Sequence, residues 1–99
     1  TLRAGSNNLV GTIPSEITSM RRLRVLSIGA NALTGPVISR WMALENLTVI
    51  SLNDNSLTGT IDESLCAVRG VRQLFLSLNL LTGSFPSCLY SLTNLEAFD

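Results

Sequence analysis

Ile50-Ser51-Leu52-Asn53-Asp54-Asn55-Ser56-Leu57-Thr58-Gly59-Thr60-Ile61 is the stretch on which the reading of this chain turns. Its first three residues alternate apolar and polar, as a half-buried strand does, and it then passes into the motif Asn-x-Leu-x-Gly. The motif recurs as Asn7, Leu9, Gly11; as Asn31, Leu33, Gly35; and as Asn79, Leu81, Gly83, each copy 24 residues from the next. Other apolar positions keep the period: Leu2, Leu26, Ile50, Leu74, Phe98; Ile13, Val37, Ile61, Phe85; Ile17, Trp41, Leu65, Leu89; Met20, Leu44, Val68, Leu92; and Leu23, Leu47, Val71, Leu95. Columns that repeat without an insertion define a stack of equivalent coils, each too small to bury its apolar face alone.

Every column has a physical task. In Leu26-Ser27-Ile28, Ile50-Ser51-Leu52 and Leu74-Phe75-Leu76 the outer two residues point inward and the middle one outward, on strands that stack in parallel. Asn7, Asn31, Asn55 and Asn79 form a structural ladder, their amides bonding backbone groups of their own and adjacent coils where strand pairing has ended. The glycine column permits a tight turn without a Cβ penalty. Residues 15–20, 40–44, 63–68 and 87–92 then form a short return with two inward positions three apart, a spacing that suits 3₁₀ turns.

After the Asn ladder the turns read LVGTIP (9–14), LTGPVI (33–38), LTGTID (57–62) and LTGSFP (81–86). The pattern resembles the plant-type leucine-rich repeat, LxxLxLxxNxLxGxIPxxLxxLxx, over the whole chain. The resemblance implies an α/β repeat fold: a right-handed solenoid with a parallel concave β-sheet and short 3₁₀ or helical convex segments. About four 24-residue repeats are expected, with registers 1–22 (partial), 23–46, 47–70, 71–94 and 95–99, the start of another. No capping motif stands at either end, so flanking repeats or caps of a longer parent chain are expected, and the isolated piece should fray and self-associate. In plants the class implies ectodomains of receptor-like kinases, receptor-like proteins and small polygalacturonase-inhibiting proteins. Two departures stand out: the proline moves to Pro36 in the second repeat, where a distorted turn is expected, and Asp62 takes its place in the third.

Composition narrows the function. Seven basic and seven acidic residues are scattered along the 99-residue chain, so nucleic acid and anionic lipid have no electrostatic footprint here. No apolar run approaches the roughly 20 residues of a membrane-spanning helix, and the segment itself is expected not to be embedded in a membrane. The chain begins at Thr1 without a leader-like segment, so any leader or anchor of the parent is expected to lie outside it. Histidine is absent, and no phosphate loop, zinc pattern or nucleophile elbow occurs, so neither catalysis, a metal nor a cofactor is expected within the segment. The readings that remain are a protein- or peptide-binding module of a cell-surface receptor, a secreted inhibitor resembling those that block pectinases, and a structural surface or scaffold protein.

Cys66 follows the inward position Leu65 by one residue and Cys88 precedes Leu89 by one. In a right-handed solenoid with a right-handed return the two side chains face each other across adjacent coils. A coil spacing of about 4.8 Å with an axial shift of about 3 to 4 Å separates their Cα atoms by roughly 6 Å, within disulfide range. The alternative is a pair of semi-buried thiols. The pairing also resembles consecutive-repeat cysteines of plant receptor-like proteins, and a bridge implies an oxidising, secretory compartment, hence an extracellular or cell-surface location. Asn46-Leu47-Thr48 is an N-glycosylation sequon placed just before a strand.

A ligand is expected on the concave sheet, whose outward positions are mostly small or aliphatic. Phe75 is the exception. With Gln73, Asn53, Asp54 and Leu78 it forms the candidate contact patch, and Arg3 joins it if a preceding coil is present. Trp41 lies in an inward column and reads as core, while Arg21, Arg22, Arg24 and Arg40 read as a solvated corner.

Overall fold

The computed structural model describes residues 1–37, 41–83, 86–87 and 97–98, with the side chains of Met42, Ala97 and Phe98 left aside. Strands β1 (Leu2–Arg3), β3 (Val25–Ser27), β5 (Val49–Ser51), β7 (Gln73–Phe75) and β8 (Ala97–Phe98) make one parallel sheet in that order. Its register is that of the repeat: Leu2 pairs with Leu26, Leu26 with Ile50, Ile50 with Leu74 and Leu74 with Phe98. Within each three-residue strand the middle residue is buried and its two neighbours are half-buried, because alternate side chains face opposite sides.

Among the described residues, three 3₁₀ segments carry the chain back: η1 (Ser15–Ser19), η2 (Trp41–Leu44) and η3 (Glu63–Ala67). Their inward residues Ile17, Trp41 and Leu65 are buried with Leu44 and Val68, matching the spacing of three. Between the strand layer and this layer lies the core, built from Leu26, Ile50, Leu52, Leu57, Leu74 and their repeat equivalents, most of them fully buried. Trp41 is the largest side chain enclosed there, and its indole Nε1 has no hydrogen-bond partner among the described residues.

The turns after the Asn column are more than turns. Strands β2 (Val10–Thr12), β4 (Ala32–Pro36) and β6 (Ser56–Thr58) pair in parallel as a second, three-stranded sheet. Its register is offset: Val10 pairs with Ala32 and Thr34 with Ser56, 22 residues apart instead of 24. Each strand of this sheet is therefore displaced by two residues, about 7 Å, relative to its repeat equivalent. That displacement makes β4 the longest strand, since residues 32–34 serve β2 and 34–36 serve β6.

Gly11, Gly35, Gly59 and Gly83 all hold φ between +75° and +86°, which only glycine adopts freely. Gly35 is required twice over, because a Cβ there would stand 2.8 Å from Thr12 Cγ2 of the preceding coil. The expected distortion around Pro36 does not occur in the described part of that turn. Pro36 ends β4 in register with Thr58, and Gly35 keeps the same φ as its equivalents. Asp62 likewise fits without change: its φ and ψ of −74° and 145° match the −66° and 137° of Pro14.

Asn31, Asn55 and Asn79 tie the coils together. Asn55 Oδ1 accepts from Leu33 N–H at 3.0 Å, while its Nδ2 donates to the carbonyls of Ile28, Leu52 and Asn53. Asn31 and Asn79 repeat the arrangement, each reaching back to the preceding coil. Asn7 is exposed in the first coil, as are Leu9 and Met20 of the inward columns, for no coil stacks on that side.

Candidate functional site

The concave sheet presents two rows of half-buried side chains, Val25, Val49 and Gln73 in one and Ser27, Ser51 and Phe75 in the other. Beyond the strands the backbone turns sharply: Ser6, Ala30, Asp54 and Leu78 all hold φ between 56° and 58°, the left-handed region. This turn brings Asp54 and Leu78 onto the rim of the face, both exposed. Asp54 N–H donates to the carbonyl of Ser77 at 3.0 Å and Asn55 N–H to that of Leu78 at 3.2 Å, so the two rim residues are lateral neighbours.

Asn53 is half-buried and held at three points. Ser51 Oγ donates to its Oδ1 at 2.8 Å, its Nδ2 donates to Asp54 Oδ2 at 2.7 Å, and its amide lies over Gly29. A Cβ on Gly29 would meet Asn53 Oδ1 at 2.8 Å and the Asn53 carbonyl at 3.0 Å, so that glycine is the seat of the Asn53 side chain.

The structure thus brings together Asn53, Asp54, Phe75 and Leu78, with Gln73 two residues before Phe75 on the same strand. Arg3 stands apart. It lies on β1, three strand spacings or about 14 Å from β7. Sequence reasoning missed Leu80, which is 62% exposed beside Leu78 at 72%. Its signal was available, because Asn8, Ala32 and Ser56 occupy the equivalent positions and only the fourth coil has leucine.

Outside this face, Asn46 is exposed at the corner before β5, and its Nδ2 donates to the Arg21 carbonyl at 3.0 Å. The sequon threonine, Thr48, donates through Oγ1 to the Arg24 carbonyl at 3.1 Å. Arg21, Arg22 and Arg24 line the same exposed corner; Arg40 lies outside the described residues. Cys66 sits half-buried on η3 against the core and is not a free thiol, while Cys88 lies outside the described residues. Among the described residues no group of His, Cys, Asp and Glu could hold a metal, and no helix is long and apolar enough to cross a membrane.

A family model described as Leucine Rich Repeat matches residues 46–68, the segment that holds β5, β6 and η3. The fold is that of a leucine-rich repeat. No curated protein matches it, but solved structures do. The leucine-rich-repeat chain superposes on the BIR2 ectodomain from Arabidopsis thaliana with a TM-score of 0.94 at 30% identity, covering 98% of this chain and 51% of that one. It resembles the ectodomain of the plant membrane receptor kinase GASSHO1/SCHENGEN3 from Arabidopsis thaliana, solved with CASPARIAN STRIP INTEGRITY FACTOR 2 (TM-score 0.90, 31% identity, 95% of this chain and 11% of that one). It also resembles the plant peptide hormone receptor RGFR1 in complex with RGF2 (TM-score 0.88, 36% identity, 92% and 15%). The chain thus spans about half of the BIR2 chain and a much smaller share of the other two.

Proposed function

We propose that this leucine-rich-repeat chain is a ligand-binding segment of a cell-surface receptor ectodomain that takes a protein or peptide on its concave sheet. All 99 residues would form one repeat domain with the registers given above. The observation that carries the reading is the clustering of Phe75, Asn53, Asp54 and Leu78 on that face, in a fold shared with receptor ectodomains solved in complex with their ligands. A half-buried aromatic flanked by polar groups of fixed orientation is the kind of anchor on which protein interfaces concentrate their affinity. Gln73, on the same strand, would frame it; Arg3 would serve a different part of a longer concave surface.

The test is selection of binders from a displayed library of random twelve-residue peptides, followed by substitution on both sheets. Binders that lose affinity with Phe75→Ala and Asn53→Ala, but not with Thr58→Ala on the second sheet, are the expected result. Binders indifferent to both concave changes would overturn the assignment of the site.

An extracellular location is proposed together with a Cys66–Cys88 bridge and a glycan on Asn46. The exposure of Asn46 supports the glycan, and a glycosylated Nδ2 keeps one N–H for the Arg21 carbonyl. Mass spectrometry of secreted, unreduced protein should find no free thiol and an occupied Asn46. Two free thiols with a bare Asn46 would remove the support for a secretory compartment.

A further inference from the structure

We infer that Asp54 and Leu78 together form a docking point for a partner segment that presents a basic side chain beside an aliphatic one. The inference rests on the concave-face reading above and supplies the chemistry of what binds there. Among the outward positions on and just after β3, β5 and β7, Asp54 is the single charged residue. Its carboxylate is placed, not merely present. Ser51 orients Asn53, Gly29 makes room for the Asn53 amide, and that amide holds Asp54 Oδ2 at 2.7 Å. A neutral amide fixes the carboxylate without cancelling its charge, so the rim offers a directed anion to a cationic group.

Leu78 stands at the same register in the next coil, one strand spacing or about 4.8 Å away. Ser6, Ala30 and Asp54, its equivalents, are small or polar residues that suit a left-handed backbone, whereas a leucine at φ 57° is held against its own preference. Its side chain is 72% exposed, so burial in the core does not offset that strain. Leu80, two residues on, is also exposed, at 62%, where the other coils have Asn8, Ala32 and Ser56. Strain kept at an exposed apolar residue points to use by a partner. In an extended partner, side chains two residues apart lie on one face about 6.8 Å from each other, near enough to one coil spacing for the pattern basic-x-aliphatic to meet Asp54 and Leu78 together.

The experiment titrates the isotopically labelled chain with the capped heptapeptide Gly-Ser-Arg-Gly-Leu-Ser-Gly and follows backbone amide shifts by NMR. A second titration uses the same peptide with Glu in place of Arg. We expect shifts centred on Asn53, Asp54 and Leu78, with the Arg peptide bound about threefold to fivefold more tightly than the Glu peptide. Asp54→Asn keeps the backbone and the Asn53 partner but removes the charge, and should abolish the preference; so should about 1 M salt. Leu78→Asn should weaken both peptides while raising the thermal midpoint of the chain, a pairing of effects that a merely structural leucine would not give. Shifts on β3 and β5 without any preference for Arg would overturn this docking point and leave the concave-face reading intact. Absence of shifts at every concave amide would overturn both.

Discussion

Asn55 and Asn7 are the same residue in the same column, yet their environments differ. Asn55 is 9% exposed; its Oδ1 accepts from Leu33 N–H and its two Nδ2 hydrogens are shared among three carbonyls, whereas the exposed Asn7 has no preceding coil to bond. Asn55→Ala strands the Leu33 N–H and the carbonyls that shared Nδ2, and should lower stability by about 2 to 3 kcal/mol, while Asn7→Ala should change it by less than about 0.5 kcal/mol. Urea midpoints of the two variants decide this; equal effects would mean that the ladder contributes within a coil and not between coils. A similar comparison separates two roles of glycine. Gly11→Ala and Gly35→Ala both force alanine to φ above 80°, at a cost of about 1 to 2 kcal/mol, but only Gly35→Ala also meets Thr12 Cγ2 at 2.8 Å. Gly35→Ala should therefore cost about 1 kcal/mol more, and Thr12→Ser, which removes that methyl, should close the gap in a double-mutant cycle. The need for both residue types was legible from their period alone, since nothing but a repeated backbone demand keeps Asn and Gly every 24 residues. Leu78 was legible from its outward register, but Leu80 was harder to read, because a leucine-rich chain hides an exposed leucine among buried ones.

At the level of elements, the 3₁₀ returns differ in how they begin. Pro14 opens η1 without a side-chain cap, while Asp62 opens η3 and its Oδ1 accepts from Ser64 N–H at 2.8 Å. The aspartate that looked like a departure from the repeat thus trades proline's fixed φ for an N-cap on the same backbone. Asp62→Ala loses the cap without gaining a fixed φ and should lower the urea midpoint by an amount equivalent to about 1 kcal/mol, whereas Asp62→Pro should recover part of it through a stiffer unfolded chain. If Asp62→Pro proved as damaging as Asp62→Ala, the hydrogen bond alone would account for the aspartate. The second sheet shows where sequence reading stopped short. Val10-Gly11-Thr12 and Ser56-Leu57-Thr58 are three residues each with a glycine inside or just after them, too short for a period to show. Their pairing follows an offset of 22, which is set by how far each coil advances and not by the repeat length. A search of the sequence at 24 could therefore find the concave sheet and not this one.

For the whole molecule, the two offsets taken together imply that successive coils turn relative to one another. The concave strands stack in repeat register while the second sheet shears by two residues per coil, and the stack must twist to satisfy both. Every described Asn side-chain bond that crosses coils reaches backward, so each ladder amide ties its coil to the one before it. At the first-coil end of the stack, Leu2, Leu9, Ile13, Ile17 and Met20 line an apolar hollow, in which Leu9 and Met20 are more than a third exposed while Ile13 and Ile17 are buried. In the 99-residue chain this end face, with the edge of β1 beside it, is an apolar surface among the described residues suited to burial against a second copy. Sedimentation equilibrium should accordingly show concentration-dependent dimers, weakened by Met20→Glu and abolished when a coil with a polar outer face is fused ahead of Thr1. Both changes leave the concave face untouched, so a dimer that survives them would place self-association elsewhere and would count against an end face whose apolar columns are shaped for another coil.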